Sequence, residues 1–433
     1  MPALTDGSVE PVAVAATSMA AQRTGDRTNG VLREYAQLWS LQAQAGGSVH
    51  DVDTVETLPG PNFRAGGRDY VSFSTNNYLG LSNYSRIVAK AREGLERYGV
   101  GNCESRLLGG DLEIYGQLEQ KLAALKQKDS AVIFATGYLT NIGVLSSIPR
   151  AAQIARIYGL STGQRHTYAY LSDEYNHTSI REGIAISGVA KFAYRHRDMD
   201  HLESLLRKVE AHSRIIVTDG VFSQEGDIAP LPDLLALADR YDAMIYIDDA
   251  HGTGVLGPDG SGTSGHFGVT SPRMIQMGTL SKAYGALGGF IAADTYIAEV
   301  LRYTCSAYGF TSTLPPDQVL AISEAMDVVK DEPWRRQRLW ANQKYFLSLM
   351  DRLPYRLLAR TTPIVPVFIG AETRCDDVAA RLRVDGYHID SVKFPAVGHG
   401  QARLRVMLNA GHTDAQIEGL VRAFESIQGF ALA

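Results

Sequence analysis

Cysteine is scarce in this chain. Cys103, Cys305 and Cys375 are the three among 433 residues. An odd and scattered set supports neither a disulfide framework nor a metal-ligand spacing, so no metal is expected, and it suits a reducing compartment such as the cytoplasm. Long apolar runs are missing too, and none approaches the roughly 18 residues that would suggest a membrane span. Neither sign of charge dominates: 42 Lys and Arg face 47 Asp and Glu, a formal net charge of -5. That balance favours neither nucleic acid nor an anionic membrane surface as a partner. The first thirty residues are rich in Ala, Ser and Thr, with acids at Asp6 and Glu10. They lack a basic start followed by an apolar core, so they read as a mobile arm rather than a secretory signal. There is no internal repeat. The remainder has the composition of a globular protein, 45% hydrophobic and 21% charged.

What is present is alternation. Val31, Leu32, Tyr35, Leu38, Trp39 and Leu41 predict a helix over 31 to 45. Tyr70 to Ser74 reads as a short strand. Further strands are predicted at Ala131 to Phe134, Tyr168 to Leu171, Arg214 to Thr218, Met244 to Ile247, Met274 to Met277 and Phe290 to Ala292. Helical patterns such as Leu231 to Tyr241 lie between several of them. Apolar strands alternating with helices imply an α/β fold with a mostly parallel central sheet. After Pro315-Pro316 one long helix is expected to about Met350, with Arg335, Arg336 and Arg338 on a solvated face. From about Pro363 a smaller α+β domain is expected, with strands at Ile364 to Ile369 and Arg403 to Leu408. The predicted divisions are an N-terminal arm and helix at 1–75, a large domain at 76–315, and a linking helix with a small C-terminal domain at 316–433.

In such sheets ligands sit beyond the carboxyl ends of the strands. His177, Ser223, Asp248, His251 and Lys282 all fall there. The strand Ala243 to Ile247 runs into Asp248-Asp249-Ala250-His251, and the next ends in Gly278-Thr279-Leu280-Ser281-Lys282. An acid and a histidine on one strand end, and a Ser-Lys pair on its neighbour, suit pyridoxal phosphate (PLP). The lysine amine bonds to the cofactor aldehyde, and the acid keeps the pyridine nitrogen protonated. Each residue also has an ordinary reading. Gly137 could admit a phosphate to a helix N-terminus or simply turn the chain. His177 could stack on a ring or be a polar loop residue. Asp248, partly buried, could meet a pyridinium, an arginine or a helix end. His251 could bond a phenolic oxygen or cap a helix, and Thr279 could meet a phosphate or close a local turn.

Motifs along most of the chain resemble those of the α-oxoamine synthases, PLP enzymes of fold type I. They are Asn76 to Leu81, Ser105 to Gly110, Thr136 to Asn141, Asp173 to Ser179 and Asp219 to Pro230. Asp248 to Gly252, Gly278 to Gly289, Thr311 to Pro316, Pro363 to Val367 and Ala402 to Arg405 follow in the same order. The resemblance implies that Lys282 holds PLP and later moves the substrate's α-proton. His177 would stack on the ring, Asp248 would pair with its nitrogen, and His251 with its phenolic oxygen. Gly137, Tyr138, Ser223 and Thr279 would help bind the cofactor, with Thr311 and Ser312 reaching the phosphate in a neighbouring subunit. Asn77 and Arg405 would hold the substrate carboxylate, a task for which the planar guanidinium fork is well matched. Arg403 shares a strand face with Arg405 but does not match that position.

The implied activity is a decarboxylative Claisen-type condensation of an α-amino acid with an acyl thioester, carried by coenzyme A or an acyl carrier protein, in a homodimer with shared active sites. Two alternatives stay open: a fold-type-I aminotransferase or other PLP enzyme that uses no thioester, and a non-catalytic subunit of a heterodimer. The sequence departs from the family at Asp249, where Glu is usual, and at Tyr115, where His is frequent. The segment 151–167 is longer than usual, and Phe394-Pro395-Ala396-Val397 replaces a frequent Pro-Pro-Thr-Val.

Overall fold

The computed structural model describes residues 54–58, 60–160 and 166–431, with isolated positions between 33 and 40. The expected arm lies outside the described residues, and the expected helix over 31 to 45 mostly so. Residues 57–433 form one compact unit, and 1–56 are a separate one.

The centre of the larger unit is a seven-stranded sheet. In chain order its strands are β3 (Ser130–Phe134), β4 (Tyr168–Asp173), β5 (Ala190–Tyr194), β6 (Ser213–Asp219), β7 (Ala243–Asp248), β8 (Met274–Thr279) and β9 (Gly289–Ala293), arranged β3-β9-β8-β7-β6-β4-β5. Neighbours from β8 to β5 pair in parallel, and β9 runs antiparallel to both β3 and β8. Every residue of β8 and β9 is buried, as expected for strands covered on both faces. Six of the seven strands were legible as apolar runs. β5 was not, because it is an edge strand with only Tyr194 buried.

Two small sheets flank the large one. β1 (Asn62–Ala65) and β2 (Arg68–Ser72) form a hairpin, to which β11 (Tyr387–His388) adds in parallel. β10 (Ile364–Gly370), β12 (Asp390–Val392) and β13 (Ala402–Met407) make an antiparallel sheet in the order β10-β13-β12. Among the described residues no helix is long and apolar enough to cross a membrane.

Two helices position the site. α1 (Gly137–Ser147) follows β3, and Thr136 caps it by accepting from the Leu139 N–H. α2 (Thr178–Ser187) follows β4, with His177 as its N-cap. The single long helix expected after Pro315 is two, α3 (Pro316–Asp331) and α4 (Trp334–Met350). Pro333 explains the break, because it has no N–H to donate and drives Glu332 out of helical geometry. The expectation of a solvated arginine face is also corrected. Arg335 and Arg336 are each 8% exposed. Arg335 donates to the Leu79 carbonyl at 3.1 Å and lies 4.4 Å from the Tyr84 ring centroid. Arg336 donates to the carbonyls of Val329 and Pro258. Arg338 does reach the surface, where it pairs with Asp414. The periodicity of a helix face does not distinguish a solvated arginine from one whose donors meet buried carbonyls.

Charged groups also brace the strand ends. Lys126 and Asp249 form a fully buried ion pair at 2.6 Å, and Thr263 donates to the other carboxylate oxygen. Asp249 thus holds the turn after β7 from behind. On the far side, His196 bridges Asp173 at 3.1 Å and Asp227 at 3.1 Å, stacked on Tyr175. Burial opposes its charge, but the hydrogen bonds to Asp173 and Asp227 prevail, and its pKa is pushed up to about 9. The folded value lies above the unfolded one. Its stabilisation is therefore complete below about pH 6.5 and is lost as pH rises through about 9, an effect of roughly 3 kcal/mol at most. Denaturant midpoints from pH 6.5 to 9.5 should fall less steeply for His196→Gln than for the wild type. Parallel curves would show that the imidazolium contributes nothing.

Candidate active site

Parallel register gathers the site. Asp219 and Asp248 are paired residues at the ends of β6 and β7, and Asp248 pairs in turn with Met277 of β8. Five residues beyond Met277 stands Lys282. The loops after β4, β6, β7 and β8 therefore bring His177, Ser223, His251 and Lys282 to one edge of the sheet. Their mutual electrostatic influence confirms the convergence. The Lys282 amine feels Asp248, Asp219 and Arg405, and His251 feels Lys282, Arg405 and His177.

Among the described residues, nothing hydrogen-bonds the Lys282 amine or lies within ion-pair distance of it. Burial pushes it down to about 8 and Arg405 adds to the fall, while Asp248 and Asp219 resist. About a tenth of such amines are uncharged at pH 7, against roughly one in three thousand for an ordinary lysine. An available free amine in a half-buried site is a usable nucleophile and base.

Asp248 is buried at 5% exposure. One oxygen accepts from Asn141 Nδ2 at 2.6 Å and the other from the Ala250 N–H at 3.0 Å. Asp219 is its buried neighbour. It accepts from the His177 N–H at 3.2 Å, and its Oδ1 has no partner among the described residues. Burial and the charge of Asp248 push the Asp219 carboxyl well above the usual range. Asp219 was not singled out from the sequence, although it carries the signal that marked Asp248, an acid ending an apolar strand.

The two histidines are neutral. Burial lowers His177, with Lys282 and Arg181 assisting against Asp248. Burial lowers His251 much further, and its charged neighbours Lys282 and Arg405 act in the same direction. Tyr78 OH lies 2.8 Å from His251 Nδ1. Burial raises the Tyr78 phenol, which keeps its proton, and no other acceptor for it is present among the described residues. Tyr78 therefore donates to Nδ1, and the N–H of His251 is at Nε2.

At the end of β3, the N–H groups of Gly137 and Tyr138 head α1 without acceptors among the described residues. Any side chain at 137 would put a Cβ 3.0 Å from Thr279 Oγ1 and 3.1 Å from Met277 Cε, so these side chains would have to give way where α1 approaches β8. Thr279 donates to the Gly288 carbonyl at 3.0 Å and lies 2.9 Å from Ser281 Oγ. Its proton is thus committed within the chain. Tyr138 is half-exposed, and its hydroxyl bonds Glu182 of α2. Ser223 is half-buried in the turn after β6.

The substrate-side candidates differ. Arg405, on β13, pairs with Asp390 at 3.0 Å, while its buried Nε has no partner among the described residues. Arg403 is engaged elsewhere, by Glu225 and the Gln224 carbonyl. Asn77 donates to Ser82 Oγ at 2.7 Å and accepts from the Leu81 N–H, so its amide closes the turn that carries Tyr78. It also lines a groove of about 1000 Å³ with Gly80, Trp334 and Arg335. Thr311 and Ser312 lie apart, beside Phe310, which is 86% exposed. Tyr115, one of the departures, is a core residue whose hydroxyl donates to the Leu314 carbonyl at 2.8 Å.

These residues suit PLP. A free amine, a buried anion, a neutral imidazole N–H and, among the described residues, unpaired N–H groups at a helix start meet at one sheet edge, and Arg405 Nε is a further donor without a partner among the described residues. The aminotransferase class I and II family matches residues 68–424. The 8-amino-7-oxononanoate synthase 1 of Bacillus velezensis is 39% identical over 378 residues, covering 87% of this chain and 92% of that protein. Among solved structures, a serine palmitoyltransferase with PLP superposes with a TM-score of 0.85 at 26% identity, covering 94% of this chain and 100% of that one. The Sphingomonas wittichii serine palmitoyltransferase gives 0.83 at 26% identity, with 93% and 99% covered. The chain belongs to the aminotransferase class I and II family and, within it, to the α-oxoamine synthases.

Proposed function

We propose that this chain is a PLP-dependent acyltransferase, which joins an α-amino acid to an acyl thioester with loss of carbon dioxide and yields an α-amino ketone. The observation that carries this reading is the partnerless amine of Lys282, held near 8 by burial in the field of Asp248. Bound PLP supplies a ring that accepts the electron pair left at the amino acid's α-carbon. The rest is work for the chain's own side chains.

Lys282 would carry the cofactor and, once displaced by substrate, take the α-proton and return one to the product. Asp248 would keep the pyridine nitrogen protonated, and the His251 N–H at Nε2 would meet the phenolic oxygen. Gly137 and Tyr138 N–H groups, with Thr279 beside Gly137, would meet the phosphate, and Ser223 would help bind the cofactor. Arg405 would fix the substrate carboxylate, so that the bond to be broken is held across the ring, with Asn77 beside it. His177 would stack on the ring.

A homodimer with shared sites is supported by surface chemistry. Leu108 and Phe310 are 78% and 86% exposed, and Ser105 donates to the Gly309 carbonyl at 2.6 Å. The loops bearing these apolar side chains are thus adjacent, and Thr311 and Ser312 follow directly. An apolar patch of this kind marks a surface to be covered, and a second copy would present Thr311 and Ser312 to its neighbour's phosphate. We keep the division near residue 316, with Arg405 contributed by the C-terminal part, and a reducing cytoplasm as the setting for the exposed thiol of Cys103.

Incubation with candidate amino acids should release carbon dioxide only when an acyl thioester is added. Conversion of a keto acid without thioester would instead identify an aminotransferase. Lys282→Ala should abolish the visible absorbance of the covalently held cofactor and lower turnover roughly 10²–10⁴-fold for the lost proton transfer alone. The pH profile has a defined sign, because the free amine accumulates until pH passes its pKa. Uptake of PLP by cofactor-free protein should accelerate about tenfold per pH unit below 8 and level off above it. A profile still rising at pH 10 would show an ordinary lysine.

A further inference from the structure

Behind the groups assigned to the cofactor lies a buried hydrogen-bond chain that none of those roles uses. This inference rests on the reading that Asp248 and His177 face the cofactor. Asn141, on α1, is 1% exposed, and all its polar positions are occupied. Nδ2 donates to Asp248 Oδ2 at 2.6 Å and to Ser179 Oγ at 2.8 Å, while Oδ1 accepts from Tyr246 OH at 2.7 Å. The amide can stand only this way round, because the reverse would set its oxygen against a carboxylate.

Ser179 is fully buried on α2. Its oxygen receives the Asn141 hydrogen, so its own proton is free for His177 Nδ1 at 2.7 Å. The Ser179 backbone N–H approaches the same nitrogen at 3.3 Å. Two donors at one ring nitrogen leave no room for a proton there, and the ring N–H is at Nε2. Gly183 makes the arrangement possible. A Cβ at that position would lie 2.7 Å from the Asn141 carbonyl oxygen, so α1 and α2 approach backbone to backbone just where the relay crosses between them.

We propose that Asn141 is a positioning residue for two groups at once: it holds the Asp248 carboxylate and, through Ser179, locks His177 in the neutral Nε2–H form. His177 then serves the reacting molecule as a hydrogen-bond donor to an anionic oxygen, and not as a proton acceptor. The sequence offers the same clue, for Asn141 closes the Thr136 to Asn141 motif and Ser179 closes the Asp173 to Ser179 motif.

Full-length protein labelled with ¹⁵N-histidine, with PLP and after its removal, reports the tautomer of each ring, and His177→Asn assigns the signal. The wild type should show His177 protonated on Nε2 alone. Ser179→Ala should raise the His177 titration midpoint by about one pH unit, the worth of one hydrogen bond, and admit the Nδ1–H form. Asn141→Asp does not touch His177. It should nonetheless shift His177 in the same direction, because a carboxylate at 141 draws the Ser179 proton away, and it should weaken PLP binding about tenfold. The double variant should move the midpoint no further than Ser179→Ala. A wild-type ring protonated on Nδ1, or an unmoved midpoint in Ser179→Ala, overturns the proposal. So does an unchanged His177 signal in folded Asn141→Asp. Since the shifts are read without cofactor, a protein that shows them but binds no PLP would overturn the proposed function and leave the relay intact.

Discussion

A negative charge kept dry at the end of β7 is the constraint that the surrounding structure serves. A buried carboxylate is costly unless donors surround it, and Asp248 receives two, from Asn141 and from the Ala250 N–H. Burial and the Asp248 charge push the carboxyl of its neighbour on β6 well above the usual range. The field that remains holds the Lys282 amine partly charged against the burial that would discharge it. Other groups nearby take complementary states: neutral imidazoles at His177 and His251, and a guanidinium at Arg405 whose buried Nε has no partner among the described residues. A site that collects positive and donor groups around a single anion is built for a ligand with anionic oxygens and a basic nitrogen.

Much of this was legible because parallel sheets simplify the reading. Apolar runs ending in Asp248, in Thr279 and in Asp173 placed the chemistry at strand ends, where the structure has it. β5 escaped because it buries only Tyr194 and so leaves no apolar run. Pro333 was a visible breaker, and the long-helix reading passed over it. Arg335 and Arg336 misled because the length and charge of a side chain do not reveal whether a carbonyl waits for it. Asp219 ends an apolar run as Asp248 does and was passed over, while Asn141 and Tyr78 carry no signal of their own as residue types. Their importance comes from the register that pairs Asp219 with Asp248 and from contacts between segments more than a hundred residues apart, as between Asn141 and Asp248 or Tyr78 and His251.

The division of labour among the elements follows the same logic. The central sheet and its first two helices supply nearly every group around the amine, and their core is closed on both faces. Arg405 comes from a separate small sheet, where Asp390 on the adjacent strand occupies one of its nitrogens. Arg405 thus reaches the site from a second sheet, while Asp248 and the strand end that carries it belong to the first.

The buried pair of Lys126 and Asp249 constrains substitution at both positions. Asp249 has glycine on three sides: a Cβ at Gly252 or Gly262 would collide with its carboxylate, and one at Gly220 would lie 2.8 Å from Oδ1. A longer acid at 249 would have to displace either the lysine or the glycine-lined backbone around it. The identity of residue 249 is therefore tied to that of residue 126, more than a hundred positions away. Loss of either partner alone would leave the other charge buried and unpaired.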